Sequence, residues 1–276
     1  MTAKQSRRDF LSGTACGFLG GLAVLHIPKR LYAEQPSTTK SRLALTTGDS
    51  RPENIFKALK MIENQIKKGL INKKRVVIKP NLVACNKQLS ATHADGVEAI
   101  LEFLQPIYKD EIIIAESPAG CPVEEGYSNY GYYNLKKKYK VKFLDLDVEP
   151  TEIKHVIDEY YHPQPVRLSK LLLDPDSYII SAAVPKTHDR TVVTLSLKNI
   201  VVGAAIKDKG FRWGKRGTGK NDKPLIHGGQ MPNNEGINYN LFKLAKILRP
   251  DLAVIDGFEG MEGNGPVGGQ AVDHRI

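Results

Sequence analysis

The segment AVPKTHDRTVVTLSLKNIVVG, residues 183–203, sets polar and charged side chains into an otherwise apolar, β-branched run. Buried charge is costly unless something pairs with it, so these groups need partners or a ligand. Lys186 and Lys198 have the charge to bind a carboxylate or phosphate. His188 suits proton transfer near neutrality, or metal ligation, and Asn199 can orient a substrate oxygen. His227, in IHGG, offers a partner for His188. A similar pattern appears in KPN, residues 79–81, where Lys79 and Asn81 flank a proline that stiffens the chain. That trio reads as an anion clamp; the plainer alternative is a strand-edge lysine in water.

A second group is acidic. DGFEGMEGNGP, residues 256–266, spaces Asp256, Glu259 and Glu262 three apart on a glycine-rich turn, with Asn264 following. Carboxylates on a tight turn suit a hard divalent cation, or lie in a solvated acidic turn. Close carboxylates repel unless a cation sits among them. The candidates are a metal or Lys186 and Lys198, and the lysines plus substrate are preferred because the visible oxygen ligands are few. Asp256 is assigned to catalysis beside His188, Lys186 and Lys198. Lys79, Asn81, Glu116, Asn199, His227 and Asn264 are assigned to substrate binding.

Other stretches are weaker. GKRGTGKN, residues 214–221, falls short of a phosphate loop: Asn221 replaces the hydroxyl residue, no apolar strand precedes it, and Pro224 stops any following helix. The surrounding residues 207–223 read as a mobile basic loop, either covering an anion or simply solvated. KKKYKVK, residues 136–142, reads as a solvated helix end and not as a nucleic-acid site.

The elements that must position these groups follow from periodicity. Strands are expected at 42–48, 75–82, 110–117, 141–147, 176–185 and 250–257. Helices are expected at 52–69, 94–108, up to 140, and 190–200, the last placing Lys198 and Asn199 near its end. Short apolar strands separated by helices predict an α/β fold with a mostly parallel, doubly wound sheet and helices on both faces. In such sheets ligands bind beyond the carboxyl ends of the strands. Each strand here delivers ionisable or amide groups to that rim, including Glu116 and Ser117 after the 110–117 strand. Cys85 and Cys121 share the rim and can join if their strands are adjacent.

The 276 residues are 41% hydrophobic and 25% charged, as expected of a folded protein, and no run of 18 apolar residues suggests a membrane span. SRRDFL at residues 6–11, before a weakly apolar, glycine-rich run, is the twin-arginine export pattern. Residues 1–33 are therefore expected to be a signal peptide read by the twin-arginine translocase, with 34–41 as a linker and 42–276 as a single α/β domain in the periplasm or another extracytoplasmic space. The formal charge is +10; residues 1–33 hold five Lys/Arg and one Asp, which leaves about +6. That balance fits small anions better than nucleic acid. Three cysteines, one within the export pattern, cannot supply the four thiolates of an iron–sulfur cluster.

The blocks VVIKPNLV, IIIAESP, IISAAVPKTHDRTVVTLSLKNIVVG, IHGG and LAVIDGFEGMEGNGPVGG fall in order over residues 75–269. They resemble the family called Domain of Unknown Function 362. The resemblance implies an α/β domain with a polar pocket. It also implies that some members are exported and others are fused to ferredoxin-type cluster domains. A remote similarity to the N-terminal domain of lactate racemase-like proteins is a further expectation. The family's domain would continue past Ile276, so the chain is expected to be C-terminally incomplete. The expected function is that of an exported enzyme acting on a small anionic substrate, with cofactor unknown and a divalent metal open. The alternatives are a non-catalytic anion or cofactor carrier, and a component of a redox system whose cluster lies on another segment or partner.

Overall fold

The computed structural model describes residues 41–229 and 235–276. The export signal expected at 1–33, and nearly all of the 34–41 linker, lie outside the described residues. Residues Arg42–Ile276 form one compact unit.

The first described elements are the helices Arg51–Met61 and Glu63–Leu70. Ser50 caps the first, accepting from Glu53 N–H, and Pro52 stands in its first turn, where a missing donor costs nothing. The periodicity predicts one helix over 52–69; the chain instead breaks at Ile62, which leaves the helical region with ψ of 17°. β1 is Arg75–Lys79. Helix Ala94–Leu104 leads to β2, Ile112–Glu116, and helix Val123–Asn129 precedes β3, Val141–Asp145. β4 (Thr151–Ile157) and β5 (Pro163–Ser169) form an antiparallel hairpin. Then come β6 (Ser177–Ala183), β7 (Lys186–His188), β8 (Val192–Thr194) and helix Ser196–Ala204. Helices Lys223–Ile226 and Glu235–Leu244 lead to β9 (Leu252–Ile255), β10 (Glu259–Glu262) and β11 (Gln270–Asp273).

Five strands make the main sheet in the order β3-β2-β1-β6-β9, every pair parallel. Alternate residues of a strand face opposite sides. Val76 and Ile78 accordingly enter the core with helices Arg51–Met61 and Ala94–Leu104, while Val77 enters a second core with helix Ser196–Ala204. Both faces are covered, as the wholly apolar strands require. After β1 the chain runs outward to β2 and β3, then crosses to the other side of β1 for β6. That reversal opens a crevice at the carboxyl ends of the strands.

A smaller sheet, β11-β10-β7-β8, stands beyond the same ends. It corrects the expected 190–200 helix. Residues 191–194 are Thr-Val-Val-Thr, and such β-branched side chains favour extended backbone; Val192 and Val193 pair with His188 and Thr187. The helix starts only at Ser196, so Lys198 and Asn199 lie in its first turn. Residues 42–48, expected as a strand, form no strand. Among the described residues no helix is long and apolar enough to cross a membrane.

Candidate functional site

A cleft of about 520 Å³ opens at the reversal point of the main sheet. Its floor is a buried polar lattice. β1 alternation turns Lys79 toward the face that also carries Val77, beneath helix Ser196–Ala204. Lys79 is 0% exposed, and its Nζ donates to Glu116 Oε2 at 2.7 Å, Asn199 Oδ1 at 3.0 Å and the Pro80 carbonyl at 3.1 Å. Asn199 Nδ2 donates in turn to the Lys79 carbonyl and to Ser181 Oγ. The other Glu116 oxygen accepts from the Ser117 N–H at 2.9 Å. Burial lowers the Lys79 pKa, and the Glu116 charge opposes that shift. Helix Ser196–Ala204 approaches this ammonium only because residue 203 is glycine: a Cβ there would stand 2.3 Å from Lys79 Cε.

Lys79, Glu116 and Asn199 line the cleft as expected, but they satisfy one another. Asn81 also lines it, and Lys186 lies behind, buried, donating to Asn81 Oδ1 and to the Val184 carbonyl at 3.3 Å. Among the described residues Lys186 has no carboxylate partner; burial, then the Lys198 charge, bring its pKa down to about 7.

Lys198 is different. It lines the cleft, and among the described residues its Nζ makes no hydrogen bond or ion pair. Burial brings it to about 7 as well, with Asp189 opposing.

His188 and His227 stack beside it, ring centroids 5.9 Å apart. Burial, then Lys198, hold both near 4, so both are neutral at pH 7. For His227 the neighbour at Nδ1 assigns the tautomer. His227 Nδ1 lies 3.0 Å from the Lys223 carbonyl, which can only accept, so Nδ1 carries the proton and Nε2 is a free base. His188 Nδ1 faces both a donor and an acceptor at 2.9 Å, the Arg190 N–H and the Asp189 carboxylate, so its neighbours select neither tautomer. The Asp189 carboxylate, also 2.9 Å from His188 Nδ1, would stabilise the ring if it became charged.

Sequence reasoning missed Lys223. It is buried, lines the cleft, donates to the Ala205 carbonyl, and is brought to about 7, chiefly by burial. Thr194 and Trp213 were missed too. Lys223 ends the stretch read as a mobile basic loop, and that composition concealed it. Both ends of the stretch are pinned: Lys207, 1% exposed, pairs with Asp147, whose Oδ1 also accepts from Ser117 Oγ at 2.6 Å. Arg212 pairs with Glu125 midway.

The acidic turn is not part of this cleft. Asp256 and Glu259 line a separate depression with His93. The cation beside them is not Lys186 or Lys198 but Arg51, whose guanidinium lies 3.0 Å from Asp256 and 3.5 Å from Glu259. Burial raises the Asp256 pKa, and Arg51 opposes it. Glu262 lies 3.8 Å from His274. Among the described residues no group of three or more His, Cys, Asp or Glu is placed to hold a metal ion. Asn264 is exposed and does not line the cleft, although Pro266 and Val267 do. Periodicity could not show this: Asp256 leaves β9, next to β6, but its side chain turns toward helix Arg51–Met61.

Cys85 and Cys121 form a disulfide, joining the loops after β1 and β2, which are neighbouring strands.

A parallel, doubly wound α/β sheet with a lysine- and histidine-lined cleft at its strand-order reversal is thus the class of protein defined here. Residues 76–276 match the family described as Domain of unknown function (DUF362), and the chain belongs to it. It is 26% identical over 197 residues to a thylakoid-associated protein of Synechocystis sp., covering 71% of this chain and 55% of that protein. Among solved structures, the lactate racemase apoprotein from Thermoanaerobacterium thermosaccharolyticum superposes with a TM-score of 0.49 at 16% identity, over 80% of this chain and 50% of that one. A protein from Thermotoga maritima superposes with a TM-score of 0.40, also at 16% identity, over 59% of this chain and 40% of its own. The chain spans about half the length of the first relatives it matches.

Proposed function

We propose that the chain is an exported enzyme that binds a small anionic substrate in this cleft and moves a proton on it. The observation that carries the reading is Lys198: an ammonium that makes no hydrogen bond or ion pair among the described residues, in a cleft where Lys79 and Lys223 lie buried. An anion is what such a site lacks. Lys198 binds the charge, and Asn81 orients it. His227 Nε2 is the base: it takes a proton from the substrate, the ring becomes imidazolium, and the same nitrogen can return the proton, while the neutral His188 beside it offers a hydrogen bond and not a proton.

Export by the twin-arginine route fits the SRRDFL pattern. The Cys85–Cys121 disulfide suits an oxidising compartment, where such bonds persist. A divalent metal has no support from Asp256, Glu259 and Glu262, since Arg51 takes two of the three.

The test is calorimetric titration of the purified protein with a panel of carboxylates and phosphates, beside Lys198→Ala. Saturable binding of at least one anion is expected, weakened tenfold or more in the variant. An unchanged affinity in Lys198→Ala, or no binding across the panel, would overturn the reading. Retained binding in His227→Gln with lost turnover would separate an enzyme from a carrier.

A further inference from the structure

The cleft is much larger than a lone carboxylate or phosphate requires. Its 520 Å³ is the range of pockets that hold whole organic ligands, and roughly seventeen waters at about 30 Å³ each would fill it. Its two ends differ in chemistry. Lys79, Glu116, Asn199 and Lys223 form a buried polar floor. On the more exposed side an apolar wall of Val83, Trp213, Pro266 and Val267 lines the cleft together with the charged Asp189 and Arg190. A hydrated inorganic anion would leave that wall facing water.

The wall is built, not incidental. Trp213 is 56% exposed and lines the cleft beside Val83, Pro266 and Val267, so its ring adds to one continuous apolar wall. Its backbone N–H donates to the Gly120 carbonyl at 3.1 Å, and its ring lies so close to residue 120 that a Cβ there would meet Cε3 at 2.9 Å. Glycine at 120 therefore fixes the indole at the mouth. On the glycine-rich segment, Lys87 donates to the Val267 carbonyl and Thr187 Oγ1 to the Gly263 carbonyl at 2.9 Å, which seats Pro266 and Val267.

We infer that the ligand of this cleft is an organic anion with a planar apolar body of one or two rings, its charged end at Lys198 and its body against Trp213. The inference rests on the anion-binding reading above and narrows it. Stacking on an indole favours flat, unsaturated bodies over short aliphatic ones.

Trp213 is the chain's single tryptophan, so its fluorescence reports on the mouth alone. The probes are benzoate and phenylacetate, against acetate and inorganic phosphate. Benzoate and phenylacetate are expected to change Trp213 emission saturably, and to bind at least fivefold tighter than acetate by calorimetry. Trp213→Ala should bring that preference below twofold while acetate binds as before, and Trp213→Phe should retain most of it. Equal affinity for benzoate and acetate, or a preference that survives Trp213→Ala, would overturn the planar body and leave the anion site standing. Failure of all four probes would overturn both.

Discussion

Lys79 Nζ and Glu116 Oε2 lie 2.7 Å apart with both side chains sealed from solvent, one strand away from each other at the carboxyl ends of β1 and β2. Among the described residues the further side-chain contacts of this pair are made within the lattice of Asn199, Ser117 and Pro80. The pair therefore holds the floor of the cleft rather than the ligand. Glu116→Gln leaves a buried ammonium uncompensated and is expected to destabilise the fold by about 3–5 kcal/mol. Replacing both, Lys79→Met with Glu116→Leu, should restore most of that loss. Urea denaturation of the three proteins checks it; a single variant as stable as the parent would show that the pair is dispensable.

Lys198 is brought to about 7 by burial, so its charge is lost as pH rises through neutrality. An anion bound by its ammonium should bind best below pH 7 and lose up to about tenfold in affinity per unit above it, until the bound anion's own stabilisation of the charge is exceeded. Titration calorimetry from pH 6 to 9 measures this. A flat profile would place the anion elsewhere.

Lys186 gives a stability prediction of defined sign. Its folded pKa of about 7 is below the ordinary 10.5, so between those values the unfolded chain binds the extra proton. Stability contributed by this group rises with pH over that window and levels off below 7, by up to about 1.4 kcal/mol per unit. The stability of the parent relative to Lys186→Met should therefore increase from pH 7 to 10. A difference that shrinks over that range would mean Lys186 keeps its charge in the fold.

Cys85–Cys121 closes a loop of 36 residues between two rim segments. Cys85→Ser with Cys121→Ser is expected to lower stability by about 2–4 kcal/mol. Because Gly120 carries Trp213, it should also shift Trp213 emission. Unaltered emission would separate the disulfide from the mouth of the cleft.

Export is tested on the arginines themselves. Arg7→Lys with Arg8→Lys should hold the precursor in the cytoplasm, as fractionation would show. Normal extracytoplasmic protein from the double variant would remove the twin-arginine reading.

The main sheet was legible because its information is local. Apolar runs such as Val76–Ile78 and Ile112–Ala115 encode buried strands, and the intervening amphipathic spacing encodes helices. The residues delivered to the rim by β1, β2 and the segment after β6 followed from that order alone, which is why Lys79, Asn81, Glu116, His188 and Lys198 were all named as candidates. The local sequence even fixed which chemistry was available, an excess of lysine with two histidines.

What each group does was decided by pairing across the chain, which no local pattern carries. Lys79 and Lys198 look alike in sequence; one is consumed by Glu116, 37 residues on, while the other makes no hydrogen bond or ion pair among the described residues. Asp256 and His188 both leave strands of neighbouring order, yet Arg51, 205 residues earlier, draws the acid into a separate depression. Lys223 sits in a strongly basic stretch, and only the Ala205 carbonyl and the fold above it make it buried. The tautomer of His227 depends on one backbone carbonyl, that of Lys223. Burial and ion pairing are properties of distance in space, and the chain sets those distances only once it is folded.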